Sequence, residues 1–501
     1  EPRLGEIDRR RLPVAGGAEE RHDLVGAVLP ADGLYVDERE FARGLDGLST
    51  LPLERPPGMY ALSALLGSAT HPERARAVMS MLSLLPALGI LLLSPSRGFW
   101  RWVLPLGVAV EPVLALFGTR LLPAVPAAVL VTFAVVSAHR GRWHLFGALM
   151  GLACLFRAEL LLGLPLLLLA SRRGRPIAAS LSWAAIVLPV MLLNLGAGAG
   201  PVIAGNGSLN LWLGTEVELM ETPPGVEFEE LMAMDGDDPQ LHFMGRWVRA
   251  VYSDPLGWGA LGIRKLAMTL SVPGPGRNLE LRYLIGRAGL APLLAPMLAL
   301  FSLGLVRVFR PSASAAGMAT GWRSLALVIF IVPILFLPAA RYRLALMPVL
   351  WAAAATSVPG RGELTAWCGV GAALVALSLL SPTGVRPGLT EVQRAERMVD
   401  LKESGKALEA LRIAEARGYE GADRDNLAGI ALCLSGNAAG GLERFRRAAE
   451  VAPHSPTVWK NTAVCLAGMG RRRQAVLAAT RAVELNGDLV DDLAPLLTRS
   501  P

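Results

Sequence analysis

Between about residues 75 and 380, apolar positions run on almost without the polar interruptions that a water-facing helix needs. The runs fall near 75–94, 100–118, 121–138, 145–170, 177–196, 286–308, 323–340, 342–357 and 363–381. A helix needs roughly 17–25 apolar residues to cross a bilayer, and most runs reach that length. The pattern predicts an all-α chain with a polytopic helical membrane domain. The 145–170 run is unlike the others, because Arg157 and Glu159 stand in its middle and ionisable groups at membrane depth are costly. Arginine clusters punctuate the runs: Arg97 with Arg101, HRGRWH (139–144), SRRGR (171–175), RVFR (307–310) with Arg323, and Arg361 in PGRGE (359–363). Short basic loops stay in the cytoplasm. All the clusters satisfy that rule only if 145–170 is a hairpin of two short crossings with Arg157 and Glu159 at its outer turn. The segment before 75, the loop 197–285, the turn Ala340–Arg343 and the tail then lie outside.

The tail changes period. With a 34-residue shift, Gly429/Ala463, Leu432/Leu466, Gly436/Gly470, Gly441/Ala475, Ala448/Ala482 and Pro453/Gly487 superpose, and a fainter copy includes Ala395, Ala407 and Ala414. Small residues at such positions let paired helices approach. The pattern resembles tetratricopeptide repeats, about three helix pairs over 388–488, and implies a C-terminal α-solenoid. Two domains follow, 1–385 and 386–501, with outer loops at about 30–74 and 197–285. The repeats either bind a partner on a concave surface or pack on the outer loops; the pattern leaves both open.

Composition agrees with this division. Hydrophobic residues make up 52% of the chain, and mean hydropathy is +0.43, above a soluble average. The net charge of +7 raises the question of nucleic acid. Topology already accounts for the arginines, so no nucleic-acid partner is expected. Cys154, Cys368, Cys433 and Cys465 form no CxxC and signal neither a metal site nor a disulfide framework. His71 and His242 lack metal-ligand spacing, so no metal site is expected. The chain begins at Glu1 with no signal peptide in view, and upstream residues including a first membrane helix are expected.

The topology collects candidate chemistry on one face. Asp37 and Glu38 in YVDEREFARGL (35–45) precede RPPGMY (55–60). Arg157, Glu159 and RYR (341–343) reach the same side. The long loop opens with GNGSLNLWLGTE (205–216), and later reads DPLGWGALGIRK (254–265) and GPGRNLELRY (274–283). Acids, arginines, Asn210 and Trp212 on one surface suit transfer chemistry on a lipid-bound phosphate. A carboxylate takes a proton from an acceptor hydroxyl or amine, forked guanidinium donors hold a leaving phosphate, and an aromatic face stacks on sugar.

In their order and shared side, DEREFARGL with ERPPGMYALSALLGS, then GALMGLACLFRAELLLGLP, GNGSLNLWLGTE, DPLGWGALGIRKL and RYRLALMP resemble the landmarks of GT-C-type glycosyltransferases of the protein-mannosyltransferase and aminoarabinose-transferase kind, over about 32–350. The resemblance implies a polyprenyl-phosphate sugar donor, no further cofactor, and a first-loop acid as catalytic base. Carried over by position, that acid is Asp37 with its neighbour Glu38, and Asp32 in PADGLY is the second choice. Arg157, Glu159, Asn210, Trp212, Lys265, Arg341 and Arg343 are the implied substrate-binding residues. Each has a plainer reading. Asp37 and Glu38 can be a solvated helix start, Arg157 and Glu159 a salt bridge, Asn210 and Trp212 loop core, and Lys265 an interfacial lysine that snorkels.

The sequence departs from the family in two places. The outer turn between the third and fourth spans reads FGTRLLPAVPAAVL (117–130) with no acid, Glu111 being inside an apolar run, and the loop motif's Gly-Asn is Gly214-Thr215. Both departures weigh against metal dependence. The leading expectation is a glycosyltransferase on the outer, periplasmic side of a bacterial inner membrane. It acts on a protein, lipid or glycan acceptor that the repeats could recruit. The alternatives are a non-catalytic membrane scaffold whose repeats organise a cell-envelope complex, and a lipid-linked-sugar transporter or polymerase.

Overall fold

The structure is a computed structural model. It describes residues 55–68, 71–94, 100–163, 175–198, 200–204, 207–215, 239–271, 294–309, 326–336, 340–355, 360–380 and 388–497, apart from 329 and 401. Every regular element among them is helical. The first body contains α1 (Gly58–Leu66), α2 (Pro72–Leu82), α3 (Leu85–Leu93), α4 (Trp100–Ala109), α5 (Pro112–Gly118), α6 (Ala124–His139), α7 (Trp143–Phe156) and α8 (Arg175–Gly196). It continues with α9 (Gly207–Leu213), α10 (Pro239–Ser253), α11 (Pro255–Leu270), α12 (Leu294–Phe309), α13 (Ala340–Ala355) and α14 (Arg361–Leu380). Among the described residues, two helical stretches are long and apolar enough to cross a membrane, Pro72–Leu93 (α2 and α3 together) and Ile177–Gly196. Shorter apolar helices follow at Ala124–His139, Trp143–Phe156, Leu294–Phe309, Arg343–Ala355 and Gly362–Ser378.

The packing of α7 on α8 gives the relative direction of these two helices. A Cβ placed on Gly147 would stand 1.9 Å from the Ala179 carbonyl oxygen, and one on Gly151 3.1 Å from that of Trp183. Two glycines one turn apart thus let the backbones touch, as small residues do between apolar helices. Residue 147 pairs with 179 and 151 with 183, so the two helices run in the same direction. The chain therefore returns to its starting end between Arg157 and Arg175. The second limb of the expected hairpin, from residue 164 on, lies outside the described residues; α7 ends at Arg157.

The run 100–118 differs from its expected form. It breaks at Glu111, between α4 and α5. Pro112 opens α5, where its missing N–H costs nothing, and the Glu111 carboxylate accepts the Leu114 N–H.

Contacts set the remaining directions. Gly118 lies against Ser83 and Gly89 against Thr132, so α3 and α6 run the same way. Gly304 meets the Leu350 carbonyl, and Arg307 donates to the Ala354 carbonyl, so α12 and α13 are parallel. Arg307 also pairs with Glu363 at the start of α14, at 3.5 Å. One end of the bundle thus gathers the chain at Arg101, Arg140, Arg142, Arg175, Arg307 and Arg361. The opposite end holds Glu111, Arg157 and Arg343. The core between them is apolar and includes Val125, Val131, Phe146, Phe301, Leu350 and Trp351.

The second body is a row of antiparallel helix pairs: α15 (Leu389–Asp400) with α16 (Ser404–Ala416), α17 (Ala422–Leu434) with α18 (Ala438–Val451), and α19 (Pro456–Gly468) with α20 (Arg472–Leu485). A short α21 (Val490–Leu497) closes the row. The small residues that recur in the sequence are the buried ones, Ala407, Ala414, Ala448, Ala463, Ala475 and Ala482. Gly436 and Gly470, the equivalent helix ends, take positive φ of 90° and 72°, which glycine adopts freely.

The expectation of no disulfide is overturned here. Cys433 and Cys465 are bonded, with Cα atoms 6.1 Å apart and a sequence separation of 32. They lie on the first helices of successive pairs, and a separation close to the repeat length brings such positions side by side. Gly441 leaves room, since a Cβ there would stand 2.3 Å from the Cys433 sulfur.

Candidate functional site

Asp32, Asp37, Glu38 and the rest of the first loop up to residue 54 lie outside the described residues. At the start of α1, Gly58 sits 2.7 Å, measured from an added Cβ, from the Leu155 carbonyl oxygen. The start of α1 therefore meets the bundle beside Arg157. Arg157 closes α7 in an extended conformation, φ −141° and ψ 95°. That conformation lets side chains two residues apart face the same way, which a helix forbids. Its Nε donates to Glu159 at 2.5 Å, and both groups are largely buried. Arg157 and Glu159 are thus an ion pair.

Glu111, Arg343 and Lys265 form a second cluster. Arg343 is buried in the first turns of α13. It donates to the carbonyls of Thr269 and Ser271, each at 2.7 Å, and its guanidinium lies 5.3 Å from the centre of the Phe301 ring. Its charge interacts with that of buried Glu111. Arg341 stands in the same helical turn. Lys265 is 0% exposed and donates to the carbonyls of Gly214 and Ile334, both at 2.8 Å. Its own carbonyl accepts the Thr269 hydroxyl at 2.9 Å, so one face of α11 carries both contacts. Lys265 and Arg343 tie the loop helices to the bundle through backbone carbonyls. The lysine is thus not at a water interface.

The loop itself has a small core. Trp212 is buried and stacks on Phe243 at 5.0 Å between ring centres. The Arg246 guanidinium lies 5.1 Å from the centre of the indole ring. This is the loop-core reading of Trp212. Asn210 is half-buried two residues back, where its carbonyl accepts the Gly214 N–H at 3.2 Å.

Sequence reasoning passed over Glu111. The signal available was the Glu-Pro pair inside an apolar run, an acid before proline at a helix start. It also marks the one place where that run turns.

Burial pushes the Lys265 ammonium down from the ordinary lysine range to about 7. Around neutrality and above, the unfolded chain holds a proton that the folded chain has released. Stability therefore rises with pH between about 7 and 10, by at most about 1.4 kcal/mol per pH unit, and the dependence flattens below 7. Thermal unfolding of detergent-solubilised protein across that range should show the rise, and Lys265→Met should lose it. An unchanged slope in the variant assigns the rise to other groups.

The chain matches no protein-family model, and no curated protein sequence matches it.

Proposed function

We propose that the chain is an integral-membrane glycosyltransferase of the GT-C type with a C-terminal tetratricopeptide-like solenoid. It works on the outer face of a bacterial inner membrane with a polyprenyl-phosphate sugar as donor. One observation carries the reading: the helix directions gather Glu111, Arg157 and Arg343 at one end, beside the segment that follows Asp37. The opposite end carries the arginines expected of cytoplasmic loops. The Cys433–Cys465 disulfide supports an outer, oxidising location for the tail.

In this reading the acceptor's oxygen or nitrogen attacks the anomeric carbon as its proton passes to Asp37, with Glu38 and Asp32 orienting the acceptor. The bond from that carbon to the phosphate oxygen breaks, and polyprenyl phosphate leaves. Arg157, with Arg341, neutralises the departing phosphate. Arg343 and Lys265 act as positioning residues that hold the outer loop over the leaflet, and Glu111 keeps Arg343 in place. Trp212 and Asn210 shape the loop rather than touch sugar.

The test is sugar transfer from a radiolabelled polyprenyl-phosphate donor in proteoliposomes. Asp37→Asn should lower the rate by about 10²–10⁴-fold, the usual worth of a general base. Activity unchanged by the substitution removes the assigned base.

A second reading, the non-catalytic scaffold, has its own support. The Lys265, Arg343 and Arg157 cations all engage partners within the chain. Retained acceptor binding with no transfer by the wild-type protein favours it.

A further inference from the structure

The loop helices α10 and α11 each have two unlike faces. On α10, Phe243 and Trp247 turn toward Trp212 and the loop core. The adjacent side carries Met244, Val248 and Tyr252, spaced about one turn apart and all exposed, Tyr252 by 82%. On α11, Leu261 and Lys265 are buried, while Leu256 and Ile263 are 86% and 72% exposed, in line with Ala260 between them. Arg249 flanks the first stripe and Arg264 the second, both exposed. Two consecutive helices thus show an apolar stripe with a guanidinium along its edge. A helix that only faced water would have polar residues at these positions. A helix inside a bundle would have its stripe covered.

We propose that α10 and α11 lie flat on the outer lipid leaflet, with Met244, Val248, Tyr252, Leu256 and Ile263 inserted at the boundary of headgroups and acyl chains and Arg249 and Arg264 against lipid phosphates. The occupant is lipid for two reasons. The arginines complement anionic headgroups. The stripe is also continuous with the bundle, because α11 packs on α14 and Gly262 rests on Ile334, at the end where the outer leaflet would begin. Its consequence is positional: Lys265 and Arg343 then join a leaflet-bound platform to the bundle at the level of a lipid-borne phosphate. The proposal rests on the reading that the bundle spans a membrane.

The test uses the full chain with Cys368→Ser, reconstituted in vesicles of phosphatidylcholine and phosphatidylglycerol, with a fluorophore on Tyr252→Cys, Leu256→Cys or Ile263→Cys. Leu192→Cys in α8 reports the span, and Leu477→Cys in α20 reports water. The three loop positions should be quenched by lipids with a nitroxide near the headgroup and shielded from aqueous iodide, about 5–10 Å below the surface. Adding Arg249→Glu and Arg264→Glu should move them outward, more in the anionic vesicles than in pure phosphatidylcholine. Iodide quenching at all three, with a deep label at Leu192, overturns the proposal and leaves the spanning bundle intact. A label shielded from both quenchers means a protein surface covers the stripe and also overturns it. Iodide quenching at Leu192 itself overturns the spanning reading and the proposal together.

Discussion

Arg343→Met is expected to lower stability by about 3–5 kcal/mol, a large part of the 5–15 kcal/mol that holds a typical domain together. The guanidinium is buried, and its removal strips the Thr269 and Ser271 carbonyls of their donor. It also removes the positive charge that interacts with buried Glu111. The penalty comes from what stays behind rather than from the lost attraction. Removing the second charge should therefore give part of it back: Glu111→Gln with Arg343→Met should be more stable than Arg343→Met alone. Unfolding midpoints of the three variants and the wild type in one detergent form the cycle. Additive effects, or a neutral Arg343→Met, would show that the two groups do not depend on each other and that the loop is held by other contacts.

Gly147→Val is the other large effect. A side chain at 147 meets the Ala179 backbone carbonyl at 1.9 Å, and a backbone oxygen cannot swing aside as a flexible side chain can. Helices α7 and α8 would have to separate along their length. The cost lies at or above the top of the usual 1–3 kcal/mol for overpacking, and lost monodisperse protein is the expected readout. Gly147→Ala should already be damaging, because the clash begins at Cβ. Gly360→Ala, where nothing lies within 4 Å, should stay within about 0.5 kcal/mol of wild type. A well-behaved Gly147→Val would mean that the parallel packing of α7 and α8 is not as described.

Much of the fold was legible because its signals are local and repetitive. Apolar runs bounded by arginine clusters predict helices and their directions. The position of Arg157 and Glu159 inside a run was enough to expect a bend, since a charged pair at mid-depth is worse than an extra turn. The 34-residue recurrence likewise marked the helix pairs of the tail, where Ala448 and Ala482 are both fully buried.

The residues of the site were legible as a set but not in their roles. Lys265 and Gly214 are 51 positions apart, and Arg343 and Thr269 74. No periodicity relates such distances. A lysine near a membrane surface reads as a headgroup or phosphate ligand until its neighbours are known. Glu111 was discounted because hydropathy averages over a window and hides one residue at a kink. Cys433 and Cys465 read as unrelated because spacing rules for cysteines describe short motifs, whereas their pairing follows the stacking of successive repeats.

The amino-acid sequence alone determined that the chain is helical, where its apolar segments and repeats lie, and which end of each segment carries the arginines. These depend on residue chemistry within one or two helical turns. Only the tertiary structure decided that Arg157 answers Glu159, that Arg343 and Lys265 are spent on backbone carbonyls of the outer loop, and that two cysteines are joined. Each of these depends on which distant helix packs alongside, and that choice is made by close-packing of side chains summed over the whole bundle.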